Sequence, residues 1–115
     1  MTIYKAMEKV QDLIFGVVAD LPFYPHYIEL FIGCSDLEES HRQIPRVHAH
    51  VFHIPMTICV TESIEGLSDE HKIGILLHEM GHIYGGYDDA DADLWVQDAL
   101  GIDIAYVNTM QWVRL

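Results

Sequence analysis

Apolar residues recur at steps of three and four from the start of the chain: Ile3, Met7, Val10, Ile14, Val17, Val18 and Leu21, with Lys5, Glu8, Lys9 and Asp12 elsewhere on the wheel. That spacing gathers the apolar side chains on one face of a helix. Pro22 and Pro25 stop it, because proline lacks the N–H that the next helical bond needs. From Tyr27 to Ile32 the period changes to two, with Ile28, Leu30 and Ile32 on one face, which predicts a strand ended by Gly33. Residues 34–43 are polar and read as a loop. Alternation returns from Val47 to His53, with Val47, Ala49 and Val51 on one face and His48, His50 and Phe52 on the other; Pro55 interrupts it. Thr57 to Thr61 is β-branched and makes a third short strand, Ile58 and Val60 sharing a face.

A second long helix begins at Ser68, a good N-cap, with Asp69 and Glu70 where the positive end of the helix dipole favours them. Ile73, Leu76, Leu77, Met80 and Tyr84 form its apolar stripe, and Gly85-Gly86 ends it. A shorter helix starts near Asp88, with Leu94, Trp95, Ala99 and Leu100 as its apolar positions, and ends at Gly101. The apolar tail, Ile102 to Leu115, is expected to pack as a strand or short helix. A helix, a small sheet of about three strands and two further helices define an α+β fold.

The chain has 115 residues, one domain's length, and 50% of them are hydrophobic, enough for a core without staples. Its charge is lopsided: 18 acidic residues against 6 basic, a formal net charge of −12. No basic face can be assembled for a phosphate backbone or an anionic lipid surface, so the expected partners include neither nucleic acid nor membrane. A cation is welcome, above all near the C-terminal end, where Arg114 is the only Lys or Arg after Lys72. The longest apolar run, Leu13 to Ala19, is too short to span a bilayer. The first residues lack the basic-then-apolar layout of a secretory signal, and two cysteines, Cys34 and Cys59, make no disulfide framework. These features predict a soluble protein of a reducing compartment, the cytoplasm. Oligomeric state is not encoded in any of them.

The chemistry lies in His78-Glu79-Met80-Gly81-His82, an HExxH string on the long helix. Four residues are slightly more than one turn, so the two rings project from the same face about 40° apart. One Zn²⁺ can then take a nitrogen from each, and Glu79, offset by one residue, can reach a water as general base. A catalytic zinc needs a third protein ligand, and Asp88, Asp89, Asp91 and Asp93 are at hand. Two geometries compete. In one, His78 to Asp88 reads HExxHxxGxxD, with Asp88 third. In the other, preferred here, Gly85-Gly86 is the bend of a helical hairpin; Asp89 returns level with His82 and ligates the metal. Asp93, one turn later, accepts the free N–H of His78. Asp88 is then an N-cap, which occupies its side chain. Asp91 or Asp93 as ligand, or no third protein ligand, remains open.

The stretch ILLHEMGHIYGGYDDADADLWV resembles the active-site region of zincin metallopeptidases, and among them the small gluzincin-like relatives of the ImmA/IrrE peptidases. The resemblance implies an upstream sheet whose edge strand holds a peptide substrate, an HExxH helix, and a later helix carrying E-x-x-x-D. Asp89 to Asp93 occupies that place with Asp for Glu. HEMGHIYGGYD also fits the metzincin spacing with Asp third, for which Met110 is the loose candidate for the methionine turn. The function so implied is a zinc-dependent peptidase acting on a protein or peptide. Glu79 moves the proton, and Tyr84, Tyr87, Tyr106 or the strand histidines are candidates to stabilise the oxyanion. A different class is a non-catalytic zinc-binding or interaction domain that keeps the HExxH helix as a structural site. A weaker option is a zinc hydrolase of small amides or RNA phosphodiesters.

Other residues read more plainly. His48 and His50 share a strand face and His53 is out of phase, so a solvent-facing or partly buried strand outweighs a second metal site or a cleft-bordering strand. His26, His41 and His71 read as surface histidines, and Cys34 and Cys59, with no metal spacing, as plain thiols. Trp95 and Trp112 read as packing residues, and Arg42 and Arg46 as partners for the acidic excess.

Overall fold

Ile3, Ala6, Met7, Val10 and Ile14 form one buried stripe, and helix α1 runs Ile3–Val17 in the computed structural model. The structure describes residues 1–45, 47–53, 56–105 and 111–114, the side chains of 52, 53, 105 and 111–114 excepted. Thr2 caps α1 by accepting the Lys5 N–H. The helix ends ahead of the prolines; Pro25 instead opens a 3-10 turn, Pro25–Tyr27. That turn takes the start of the expected strand, so β1 is Glu29–Ile32.

Residues 34–43 correct the sequence reading. They form helix α2, Ser35–Gln43, with Cys34 in the N-cap position and Leu37 as its buried residue. A single apolar anchor gives no periodic signal. The helix is supported by its charges, with Asp36 and Glu38 in the first turn, His41 and Arg42 in the last, and an Arg42–Glu39 ion pair three residues apart.

Strand β2 is Ala49–His53 and β3 is Met56–Val60. The sheet order is β1-β3-β2. β3 is central, parallel to β1 (Leu30 opposite Ile58) and antiparallel to β2 (His50 opposite Cys59). Both faces of β3 are covered, since Ile58, Cys59 and Val60 are all buried. β2 is an edge, and among the described residues no strand pairs with its outer side.

Helix α3, Asp69–Tyr84, is capped by Ser68, whose hydroxyl accepts the His71 N–H. It is less amphipathic than its stripe suggests: every residue from Lys72 to Gly81 is buried. Helix α1, the sheet and helix α4, Asp89–Leu100, all pack against it. Lys72, which no periodicity singled out, is buried with its ammonium donating to the Met1 carbonyl at 2.6 Å, 3.7 Å from Glu65. Helix α4 also shifts its inner face. Ala92 and Val96 are buried, whereas Leu94 is exposed. Asp88 does stand in the N-cap position, but its side chain makes no capping bond. After Gly101 in left-handed conformation, the tail forms the hairpin of β4, Ile102–Ala105, and β5, Gln111–Arg114. The architecture is α+β. Among the described residues no helix is long and apolar enough to cross a membrane.

The contact between α3 and α4 is unusually close and depends on two glycines. A Cβ on Gly81 would sit 2.3 Å from the Ala92 carbonyl oxygen, and one on Gly85 would sit 2.5 Å from Cβ of Trp95. Both clashes are with atoms that cannot swing away. Gly81→Ala must therefore push α4 outward. Overpacking of this kind costs roughly 1–3 kcal/mol. We expect that loss in chemical denaturation of Gly81→Ala, while Gly66→Ala, whose Cβ meets nothing within 4 Å, changes stability far less.

Candidate metal centre

Helix α3 sets the two histidines of HExxH one turn apart, both turned toward α4. Their rings lie 4.6 Å apart at 89°, and Nε2 of His78 is 3.0 Å from Nε2 of His82. Asp89, the first residue of α4, brings one carboxylate oxygen to 3.1 Å from His78 Nε2 and 3.0 Å from His82 Nε2. The other ring nitrogens are engaged elsewhere. His78 Nδ1 donates to Asp93 Oδ1 at 2.7 Å, and His82 Nδ1 donates to the Gly86 carbonyl at 3.0 Å. A carboxylate and a carbonyl only accept, so each Nδ1 carries a proton, and a neutral ring then presents a lone pair at Nε2.

Two nitrogen lone pairs and a carboxylate oxygen thus face a common point at 3.0–3.1 Å from one another. A proton or a metal ion among them makes such a grouping attractive. Tetrahedral zinc, with bonds of about 2.0–2.2 Å, spaces its donors about 3.3–3.5 Å apart. The set is within a few tenths of an ångström of that spacing, and it fits a small divalent cation. His78, Glu79 and His82 each also offer a ligand atom within 4.8 Å of the others.

These positions correspond to the hairpin arrangement of the two considered from sequence. The Gly85-Gly86 bend returns Asp89 to His82 and Asp93 to His78. Asp88 and Asp91 are not among the residues lining the cleft; Asp89 is. The His78 side chain is 1% exposed and that of Asp89 60%, so one side of the donor set is walled in and the other open.

Glu79 is 3% exposed. Burial, and then the Asp89 carboxylate nearby, push its carboxyl up to about 8. Burial also raises Asp93, against the opposing pull of the His78 ring. The cleft above the donors has a volume of about 360 Å³ and is walled by Val47, Ala49, His50 and Val51 facing Tyr87, with His78, Glu79, His82 and Asp89 in its floor. The histidine strand therefore borders the cleft, the reading given less weight from sequence.

Several other candidates find different places. Tyr84 is spent: its hydroxyl donates to the Phe23 carbonyl at 3.2 Å, its ring stacks between Phe23 and Trp95, and burial pushes it up to about 12. Tyr87 and His50 line the cleft. His48 instead meets Thr61 Oγ1 at 3.4 Å and the His41 ring. Tyr106, Met110 and Arg46 lie outside the described residues, as do the side chains of His53 and Trp112. His41 is more than a surface residue, joining the Val47 carbonyl at 2.8 Å to Ser63 Oγ at 3.2 Å. Sequence reasoning missed Gly81, whose bare Cα admits α4. It also missed Cys34 and Cys59, which meet His50. Comparison with protein-family models, curated proteins and solved structures finds no match to this chain.

Glu79 generates a pH dependence in the metal-free protein. Its folded value of about 8 lies above the ordinary 4.5, so the unfolded carboxyl gives up its proton first as pH rises. Stability is then lost between pH 4.5 and 8, on the order of 3 kcal/mol by pH 7. His48 and His50, held low mainly by burial, act in the opposite sense and cancel on comparison with a variant that retains them. In chelator, Glu79→Gln should match the parent near pH 4.5 and exceed it increasingly toward pH 8. Parallel stability–pH curves would show that the Glu79 carboxyl is not held high.

Proposed function

We propose that the chain is a zinc-dependent metallopeptidase, with His78, His82 and Asp89 as ligands and Glu79 as general base. The observation that carries this reading is the mutual 3.0–3.1 Å spacing of three lone-pair donors at the floor of an open cleft. Zinc held there would supply a Lewis acid that polarises a carbonyl and brings the pKa of a water toward neutrality.

The remaining work belongs to the protein. Asp93 fixes the His78 ring and its tautomer through the 2.7 Å bond to Nδ1, and the Gly86 carbonyl does the same for His82. Glu79, at the floor of the cleft, takes the proton of the attacking water and delivers it to the departing amine. The edge strand β2 borders the cleft, and among the described residues no strand pairs with its outer side, which suits an extended peptide bound as an added strand. That feature favours a peptide over a small amide. Tyr87, which lines the cleft, is the residue we assign to the developing oxyanion. The likeness of the HExxH stretch to small gluzincin-like peptidases agrees with this assignment. The absence of a membrane-length helix among the described residues accords with a soluble enzyme, which we place in the cytoplasm.

A second reading has its own support. Glu79 offers an oxygen within 4.8 Å of the histidine nitrogens, so it can serve as a further ligand and close a structural site. Glu79→Gln separates the two. For a peptidase the variant keeps zinc, measured by elemental analysis, and loses roughly 10²–10⁴-fold in hydrolysis. Loss of the metal with Glu79→Gln, or a variant as active as the parent, overturns the assignment of Glu79 as base.

The ligand set has its own measurement. His78→Ala, His82→Ala and Asp89→Ala should each abolish or severely weaken zinc binding, while Asp88→Ala retains it. Asp93→Asn should bind zinc about 10–100-fold more weakly, because the ring it orients is released. Equal retention by the Asp88 and Asp89 variants would remove Asp89 from the site.

A further inference from the structure

The start of α2 and the paired strands β2 and β3 bring two thiols and an imidazole together beside the cleft. His50 on β2 stands directly opposite Cys59 on β3 across the antiparallel ladder, so their side chains leave the same face of the sheet. Cys34 follows Gly33, whose N–H bonds to the Val60 carbonyl, and it reaches over that face from the N-cap position of α2. Cys34 Sγ is 3.2 Å from His50 Nε2, and one donor atom from each of Cys34, His50 and Cys59 lies within 4.8 Å of the others.

We propose that Cys34, His50 and Cys59 form a second cation site, for a thiophilic divalent ion of the zinc class, separate from the HExxH donors. The chemistry of the donors sets the class. Two sulfurs and one imidazole suit zinc and reject magnesium and calcium, which take oxygen. Tetrahedral zinc, with bonds of about 2.3 Å to sulfur and about 2.0 Å to nitrogen, spaces S and N about 3.5 Å apart, close to the 3.2 Å between Cys34 Sγ and His50 Nε2. Cys59 is 1% exposed and Cys34 is partly exposed, so the site has a buried floor and an open mouth. Both cysteines are free thiols. Burial and the neighbouring Cys34 push the Cys59 thiol up to about 12, so binding releases a proton from it.

The consequence is mechanical. The ion would tie the start of α2 and the edge strand β2 to the central strand β3. Since β2 is a wall of the cleft, the site would hold that wall in register without entering the hydrolytic chemistry. It does not rest on the peptidase reading.

Cobalt distinguishes the two sites, because thiolate ligands give a near-ultraviolet charge-transfer band that imidazole and carboxylate do not. Reduced, metal-free protein titrated anaerobically with Co²⁺ should take up two equivalents, one of them accompanied by that band. The double variant H78A/H82A should bind one equivalent and keep the band. Cys34→Ser, at a partly exposed position, should lose most of the band's intensity and return to one equivalent, and His50→Ala should weaken the band's titration at least tenfold. Absence of a thiolate band in the parent protein, or a band undiminished in Cys34→Ser, overturns the proposal. Should H78A/H82A not fold, the parent and Cys34→Ser titrations decide alone. Failure of the HExxH assignment appears differently, as loss of the band-free equivalent with the thiolate signal intact.

Discussion

Three electron-rich atoms held 3.0–3.1 Å apart are the constraint around which the C-terminal half of this protein is arranged. Lone pairs do not gather without a cation unless a scaffold holds them, so the scaffold must be stiff. Helix α3 supplies the stiffness by being buried from Lys72 to Gly81, which leaves the His78 ring no room to turn away. The Nδ1 bonds to Asp93 and to the Gly86 carbonyl fix which nitrogen faces the centre. Gly81 and Gly85 then admit α4 close enough for the short Asp89 side chain to reach both rings. A longer approach would demand Glu at this position. The short Asp89 and the glycine inside HEMGH are thus two sides of one fit.

What was legible in the sequence was what is local. Two histidines four apart on a capped helix share a face by helical geometry alone. A Gly-Gly bend followed at once by helical residues fixes, by rise per residue, which carboxylate returns beside which ring. Asp89 and Asp93 could therefore be preferred, with Asp88 left as the competing third ligand. Helix α2 was not legible, because Leu37 is its only buried residue and its stability comes from charge placement and α2's docking. On α4, Trp95 and Leu100 pack against the core as expected, but Leu94 does not, for a related reason. Large apolar residues draw attention, yet the close approach to Gly81 selects small Ala92 and leaves Leu94 outside. Tyr84 was a reasonable oxyanion candidate by distance along the chain, but the aromatic stack with Phe23 and Trp95 captures it.

The thiol–imidazole cluster shows the limit of such reading most clearly. Cys34, His50 and Cys59 have no ligand spacing in the chain, and only strand register brings them together. Pairing β1 with β3 in parallel and β2 with β3 in antiparallel puts residues from three segments on one patch. Shifting β2 by one residue would send His50 to the other face. The alternation of Val47, Ala49 and Val51 fixes the face that His50 takes, but a slip of two residues preserves it, so the pattern alone does not choose Cys59 as its partner.

Electrostatics ties these parts to the chain's unusual composition. A net charge of −12 destabilises a compact chain through self-repulsion, and clustering carboxylates in one cleft adds to that cost. Glu79, Asp89 and Asp93 all act on the same few ångströms, and the first and last are both pushed toward their protonated forms. A divalent cation among the donors would reverse the repulsion from Asp89 and offset the cost of burying the charges. It relieves the repulsion among the carboxylates, satisfies the nitrogen lone pairs, and lets Glu79 ionise beside a positive centre instead of beside Asp89. The carboxylates of this cleft would therefore be the energetic complement of a metal bound by the proposed donors.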